Sequence, residues 1–276
     1  MTATTDSGRT GGPGPVASPG GALVVVEYLV RVWRKSFVTT SAVAVGVPVI
    51  YLLALGFGLG TLVNAGPGAG TLGGVDYARW IAPALVTSAA LATGISEAAY
   101  PVYSRFKWTR VFWGVAASPV SPGSIADGQA LFIALRLSVT SLLSYLVLLV
   151  AGVGGGLGGV VMVPAAVLTG MSCTVWMMTL AAVMKKEGAA VNLVMRFVVI
   201  PMTLFSGSFF PVDRLPAGIR PLAWISPLWH GTALARAAAL GSWQLPAALL
   251  HVGYLAVLTV VGLTMARSKF RAKLLT

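Results

Sequence analysis

The chain has 276 residues, of which 57% are hydrophobic and only 9% charged, with a formal net charge of +12 and a mean hydropathy of +0.86. A soluble domain carries about 25% charged residues, so this composition excludes a soluble enzyme or binding module and marks an integral membrane protein. Apolar runs longer than about 18 residues recur without two-residue alternation, which favours helices over a barrel, so an all-α membrane fold is expected. The basic residues are dispersed along the chain and form no single patch, so no nucleic acid is expected as a partner.

Residues 1–21 are rich in Gly, Pro, Ser and Thr and lack an apolar signal core, which reads as a disordered cytoplasmic tail. In ALVVVEYLVRVWRKS, residues 22–36, Glu27, Arg31, Arg34 and Lys35 share one helical face opposite Val24, Val25, Leu29 and Val32. That pattern is an amphipathic interfacial helix with Trp33 at headgroup depth; an extension of the first span is the alternative. From residue 37 to 273 the chain is one membrane domain with six expected spans, at about 37–63, 78–101, 127–152, 158–184, 189–209 and 244–266. The lone cysteine, Cys173, sits inside the fourth span, so no intrachain disulfide is possible.

Two connections carry signals. Between the second and third spans, basic and aromatic residues interleave in SRFKWTRVFWG: Arg105, Lys107, Trp108, Arg110 and Trp113. In so short a loop they make a helix on the inner membrane face, as an anchor or as a dock for a soluble partner. Between the fifth and sixth spans lies SGSFFPVDRLPAGIRPLAWISPLWH, where Pro211, Pro216, Pro221 and Pro227 forbid one long helix. Short helices in a re-entrant hairpin on the outer face are expected there, with Phe209 and Phe210 toward lipid or a dimer seam and Asp213 and Arg214 at the water boundary. A structured cap over the bundle is the alternative.

Orientation follows from where Lys and Arg fall. With six spans, Arg9, Arg31, Arg34, Lys35, Arg105, Lys107, Arg110, Lys185, Lys186, Arg267, Lys269, Arg271 and Lys273 gather on one side. The other side holds only Arg79, Arg214, Arg220 and Arg236, so both termini are expected in the cytoplasm. Were the proline-rich segment a seventh span, RSKFRAK would be forced outside.

The intramembrane polar residues are Glu97, Asp127, Arg136 and Arg196. Arg136 lies near the middle of the third span, where an unpaired charge costs about 2.5–3.5 kcal/mol, so it needs Glu97 or Asp127 as partner. Arg196 is shallow enough to reach the interface with its own stem. No nucleotide loop, catalytic constellation or metal-ligand spacing is present, and His230 and His251 stand alone in the sequence. Catalytic, cofactor and metal residues are therefore expected to be none.

Four stretches carry a family resemblance from about Val32 to about Lys273: GVPVIYLLALGFGLG; YARWIAPALVTSAAL with SEAAYPVYSRFKWTRVFWGVAASPVSP; DGQALFIALR; and SGSFFPVDRLP with SPLWHGTALARAAALG. Together they resemble the permease subunits of type-2 ABC exporters, within these most closely the nodulation lipo-oligosaccharide and daunorubicin-resistance permeases. Gln129 stands where that family often has an acid, with Asp127 as a substitute. The resemblance implies a permease in a bacterial cytoplasmic membrane, paired with a second copy or a sister permease and with a separate cytoplasmic ABC ATPase that holds ATP and Mg. It further implies that residues 22–36 form a connecting helix and that Arg105, Lys107, Trp108, Arg110 and Trp113 couple to the ATPase. Phe209, Phe210, Pro211, Asp213, Trp224, Pro227 and His230 become an extracytoplasmic gate, and membrane lipids surround the whole. An ion-coupled secondary transporter and a non-transporting scaffold are the alternatives; the first needs internal repeats and paired mid-membrane carboxylates.

Overall fold

The computed structural model describes residues 19–66, 72–184 and 189–275, and every regular element among them is helical. The expected tail through residue 18 and the basic pair Lys185 and Lys186 lie outside the described residues. Helix α1 spans Pro19–Trp33 and is followed, after a 3-10 turn at Arg34–Ser36, by α2 at Phe37–Tyr51. Helical structure thus runs from Gly20 to Ala65, far longer than one crossing requires, and it is bent at Ser36, whose φ of −117° leaves the helical range.

The buried face of α1 is Ala22, Val25, Leu29 and Trp33, spaced by three or four residues, and it lies on α7 (Pro122–Val150). Val24 and Val32 flank this stripe and are exposed, contrary to the expected apolar face. Trp33, expected at headgroup depth, is packed into the protein. It is buried, donates from Nε1 to Thr40 Oγ1 at 3.0 Å, and meets Phe132 edge-on at 6.1 Å. Contact is this close because Gly128 on α7 has no side chain: a Cβ there would stand 2.6 Å from the Ala22 carbonyl oxygen.

Beyond α2 the helix widens into π-helical turns at Leu52–Leu59 before closing as α3, Gly60–Ala65. Pro48 precedes those turns and supplies no N–H, so the regular ladder is already broken there. Helix α4 covers Tyr77–Ala98, and a break at Ala99 (ψ −99°) leads into α5, Tyr100–Lys107, and α6, Val111–Ala116. After α7 come α8 (Met162–Val183), α9 (Ala189–Val194), α10 (Ile200–Phe205), α11 (Arg220–Ile225), α12 (Pro227–Leu240) and α13 (Leu245–Leu274).

Five helical stretches are long and apolar enough to cross a membrane: Gly20–Ala65, Tyr77–Lys107, Pro122–Val150, Gly156–Val183 and Leu245–Leu274. The segment expected as the fifth span is a shorter apolar helix, Ala190–Phe205, with π-helical turns at Met195–Val199 directly before Pro201. The expected spans at about 78–101, 127–152, 158–184 and 244–266 coincide with long helices within a few residues, except that the last runs on to Leu274.

Helix α8 is the hub, packed on α4, α7, α12 and α13. Its hydroxyls are satisfied inside the helix: Thr169, Thr174 and Thr179 each donate to the carbonyl four residues back, at 2.6, 2.8 and 2.9 Å. Apolar side chains gain little from meeting one another in lipid, so helix contact relies on close backbone approach at small residues. Gly231 on α12 is one such point, since a Cβ there would lie 1.8 Å from Thr169 Oγ1. Gly231→Ala is expected to lower stability by about 1–3 kcal/mol, whereas Gly253→Ala on α13, where nothing lies within 4 Å, leaves it unchanged or slightly raised. Unfolding of the detergent-solubilised variants by heat or SDS measures the difference.

Candidate functional site

Three clusters bring together the polar and aromatic residues singled out in the sequence. The first is the α5–α6 corner. A residue in the left-handed region, Arg110 (φ 52°), turns the chain between the two short helices. Phe106, Phe112 and Phe270 of α13 then interlock, with centroids 4.8 Å apart for Phe106–Phe112 and for Phe106–Phe270. Lys273 caps the group, its Nζ 4.6 Å from the Phe106 ring centre and donating to the Ala182 carbonyl at 2.6 Å. The corner is thereby bolted to the end of the last helix.

Its outer surface carries Lys107, Trp108, Arg110 and Trp113, all exposed. Trp113 is fixed by donating to the Phe106 carbonyl at 3.0 Å, and Trp108 meets Tyr103 edge-on at 5.8 Å. Arg105 does not join this surface. It turns inward and donates from Nη1 to Gln129 Oε1 at 3.0 Å, so the amide that replaces the family's acid still accepts a guanidinium.

The second cluster is the intramembrane pair. Arg136 Nη1 lies 2.7 Å from Glu97 Oε2, joining α7 to α4, and the guanidinium stands 5.5 Å from the Trp33 ring centre. Asp127 is not its partner, because that carboxylate binds Arg267 of α13 at 2.5 Å nearer the helix end. Arg196 is exposed on its π-helical turn and joins neither pair. Beside Arg136 and Glu97 a cleft of about 460 Å³ opens between α2, α4 and α7.

The third cluster occupies the opposite end. Residues 206–230 form bends, a 3-10 turn at Val212–Arg214, α11, and the start of α12, with Pro221 and Pro227 in first helical turns as expected. Phe209, expected toward lipid or a dimer seam, is half-buried. It packs onto the core near Tyr51, with centroids 6.5 Å apart, and its carbonyl accepts from the Tyr77 hydroxyl at 2.9 Å. Phe210, Asp213 and Trp224 are exposed, and Pro211 and Pro227 half-buried. Arg220 ties the loop by donating to the carbonyls of Leu215 and Asp213, at 2.9 and 2.7 Å.

His230 and His251, alone in the sequence, are paired in the structure: their Nδ1 atoms stand 2.7 Å apart. His230 Nε2 lies 3.0 Å from the Trp224 carbonyl, which has no proton to give, so Nε2 carries the hydrogen and Nδ1 accepts from His251. The His230 ring stacks on Tyr254 at 4.0 Å, and Tyr254 in turn donates to the Ile225 carbonyl. Together these contacts fasten the hairpin to α13.

Among the described residues no group of three or more His, Cys, Asp or Glu could hold a metal ion. What the geometry offers instead is an apolar helix bundle with a buried ion pair, an exposed basic and aromatic corner at one end and a latched hairpin at the other. Comparison with known proteins agrees with that reading: the model for the ABC-2 type transporter matches residues 22–240. The chain belongs to the ABC-2 type transporter family.

Its ABC-2 relatives include proteins named Nodulation protein J. That of Rhizobium leguminosarum bv. viciae is 26% identical over 243 residues, covering 88% of this chain and 91% of the relative. That of Neorhizobium galegae is 27% identical over 252 residues, 89% and 93% of the two chains. That of Rhizobium meliloti (strain 1021) is 26% identical over 253 residues, 89% and 94%. No solved structure matches. With its long apolar helices, this ABC-2 membrane subunit is a multi-pass bacterial membrane protein.

Two outcomes follow from these contacts. Arg136→Met is expected to destabilise by about 3–5 kcal/mol because the largely buried Glu97 loses its ion-pair partner, while Glu97→Gln with Arg136→Met costs less than the single change. Arg267→Ala, at the more exposed pair, costs about 0–1 kcal/mol; SDS or thermal unfolding compares the three. Burial first, and His251 beside it second, push His230 from its usual 6.5 down to about 4. Folded His230 is then neutral where the unfolded side chain takes a proton, so its stability contribution is full above about pH 6.5 and is lost as pH falls toward 4. Unfolding midpoints should drop between about pH 7 and pH 5 in the wild type and drop less in His230→Phe, which keeps the stack on Tyr254.

Proposed function

We propose that this chain is the permease subunit of an ATP-driven ABC exporter that moves an amphipathic substrate, a lipid, glycolipid or hydrophobic drug, outward across the cytoplasmic membrane. The single observation that carries this reading is the family match over residues 22–240, which covers the α5–α6 corner, the intramembrane pair and the hairpin together. Both termini and the α5–α6 corner face the cytoplasm, in line with the basic residues gathered there, Lys107, Arg110, Arg267, Lys269, Arg271 and Lys273 among them. The hairpin from Ser206 to His230 faces outward as a re-entrant gate, and α9–α10 completes six crossings with help from its widened turns.

Coupling then has a mechanical form. A separate cytoplasmic ATPase binds ATP and Mg and seats on Lys107, Trp108, Arg110 and Trp113; Arg105 holds the corner to α7 through Gln129 and does not touch the partner. Because Phe106 and Phe112 grip Phe270, displacement of the corner reaches α13 directly. Two permease chains, identical or sister, enclose the path. The chain itself performs no catalysis.

Two experiments test this. In a Cys173→Ser background, an impermeant maleimide applied to intact cells should label Asp213→Cys and leave Lys107→Cys unlabelled until the membrane is opened; the reverse pattern overturns the orientation. Trp108→Ala should weaken copurification with its partner ABC ATPase by about tenfold or more, with unfolding unchanged. Normal copurification and normal export by Trp108→Ala with Arg110→Ala would remove the corner from the coupling role.

A further inference from the structure

The cleft between α2, α4 and α7 changes chemistry along its length. One end is lined by Thr39, Ser96, Glu97 and Arg136, the other by Val47 and Ala89. Helices α2 and α4 run antiparallel, so as α2 passes from Thr39 to Val47, α4 passes back from Glu97 to Ala89, and both walls turn from polar to apolar together. A seam meant only for a second helix would not need a charge at its floor.

The floor is also unbalanced in charge. Glu97 is bound to Arg136 at 2.7 Å and feels the charge of Arg105 as well, whereas Arg105 spends its hydrogen bond on the neutral amide of Gln129. Two guanidiniums therefore share one carboxylate. Arg136 is only 8% exposed, and its Nε has no hydrogen-bond partner among the described residues. Arg136 lines the cleft at this positively charged floor, which favours a ligand that brings an acceptor of negative charge.

We propose that this cleft binds a membrane amphipath with an anionic head group, the head at Arg136 and the apolar chain between Val47 and Ala89. The inference deepens the exporter reading and rests on its orientation: with the α5–α6 corner inside, the polar end of the cleft points toward the cytoplasm and the apolar end away from it. That is the order of head and chain in a molecule seated in the inner leaflet. The cleft volume of about 460 Å³ falls within the roughly 300–1,000 Å³ of small-molecule sites.

The test uses the purified full chain in neutral detergent, with bound lipid read by native mass spectrometry. Phosphatidylglycerol should bind about tenfold or more tightly than phosphatidylcholine, and glycerol 3-phosphate, which lacks the chain, should not compete. Ala92→Phe, which fills the apolar part of the cleft without touching the ion pair, should abolish phosphatidylglycerol binding. Glu97→Gln with Arg136→Gln, which removes the Arg136 guanidinium without stranding its partner and leaves Arg105 on Gln129, should bring phosphatidylglycerol down to the level of phosphatidylcholine. Equal binding of the two lipids by wild type, retention of the preference in both variants, or competition by glycerol 3-phosphate would overturn the proposal. So would a Val47→Cys cross-link between two copies, in a Cys173→Ser background, that forms as readily with phosphatidylglycerol present as without it. Binding is measured without ATP or ATPase, so loss of the exporter reading through the coupling variants would leave this result standing, and failure here would leave coupling untouched.

Discussion

Hydrocarbon supplies no hydrogen-bond partners, and most of this structure follows from that one constraint. Every buried hydroxyl on α8 that donates does so to its own helix or to a neighbour in contact, which lets Thr169, Thr174 and Thr179 sit in the hub at low cost. Thr87 of α4 and Thr232 of α12 share a hydrogen bond at 3.0 Å and so join two helices as well as satisfying themselves. Arg136 and Glu97 are the same rule applied to charge. Neither is tolerable alone at that depth, and as a pair they fix the register of α7 against α4.

The constraint also explains where the helices depart from regularity. Proline removes a donor and pushes away a carbonyl, and in lipid the freed group must find another partner within the chain. The π-helical stretch Met195–Val199 lies just before Pro201, whose missing N–H frees a carbonyl within it, while the stretch Leu52–Leu59 follows Pro48 by about a turn. Widening the turn keeps the ladder closed while the chain bends. In the hairpin the prolines instead start short helices, where the missing N–H would have been unsatisfied anyway.

Much of this was legible in the sequence because a span announces itself by length and hydropathy, and a mid-span arginine announces a need. The Arg136–Glu97 pair and the i, i+4 pair Glu27–Arg31 were readable for that reason. Choices between nearby partners were not, since Asp127 and Gln129 lie two residues apart at the start of α7 and only packing decides that Arg267 and Arg105 take them. The buried stripe of α1 was half-misread because every valine there is equally apolar, and Gly128 on a distant helix selects Val25 over Val24. The histidine pair had a readable signal: His230 and His251 lie about ten residues on either side of the Gly241 turn, level in an antiparallel helix hairpin.

Helix α13 gives these separate clusters a common support. A 30-residue helix is about 45 Å long, enough to pass from one face of a bilayer to the other. Near one end Arg267, Phe270 and Lys273 hold α7, the α5–α6 corner and α8; near the other His251 and Tyr254 hold the hairpin. Its middle touches α8 through Trp176, which donates to the Leu258 carbonyl at 3.2 Å, and at Gly262, where a Cβ would stand 2.4 Å from Val175. One side of it packs along α8, α7 and α12, and much of the other side is exposed. A shift of the corner that preserves the phenylalanine lock must therefore tilt or slide α13 as a body, and the hairpin, latched to the same rod by two histidines and a tyrosine, has to move with it or let go.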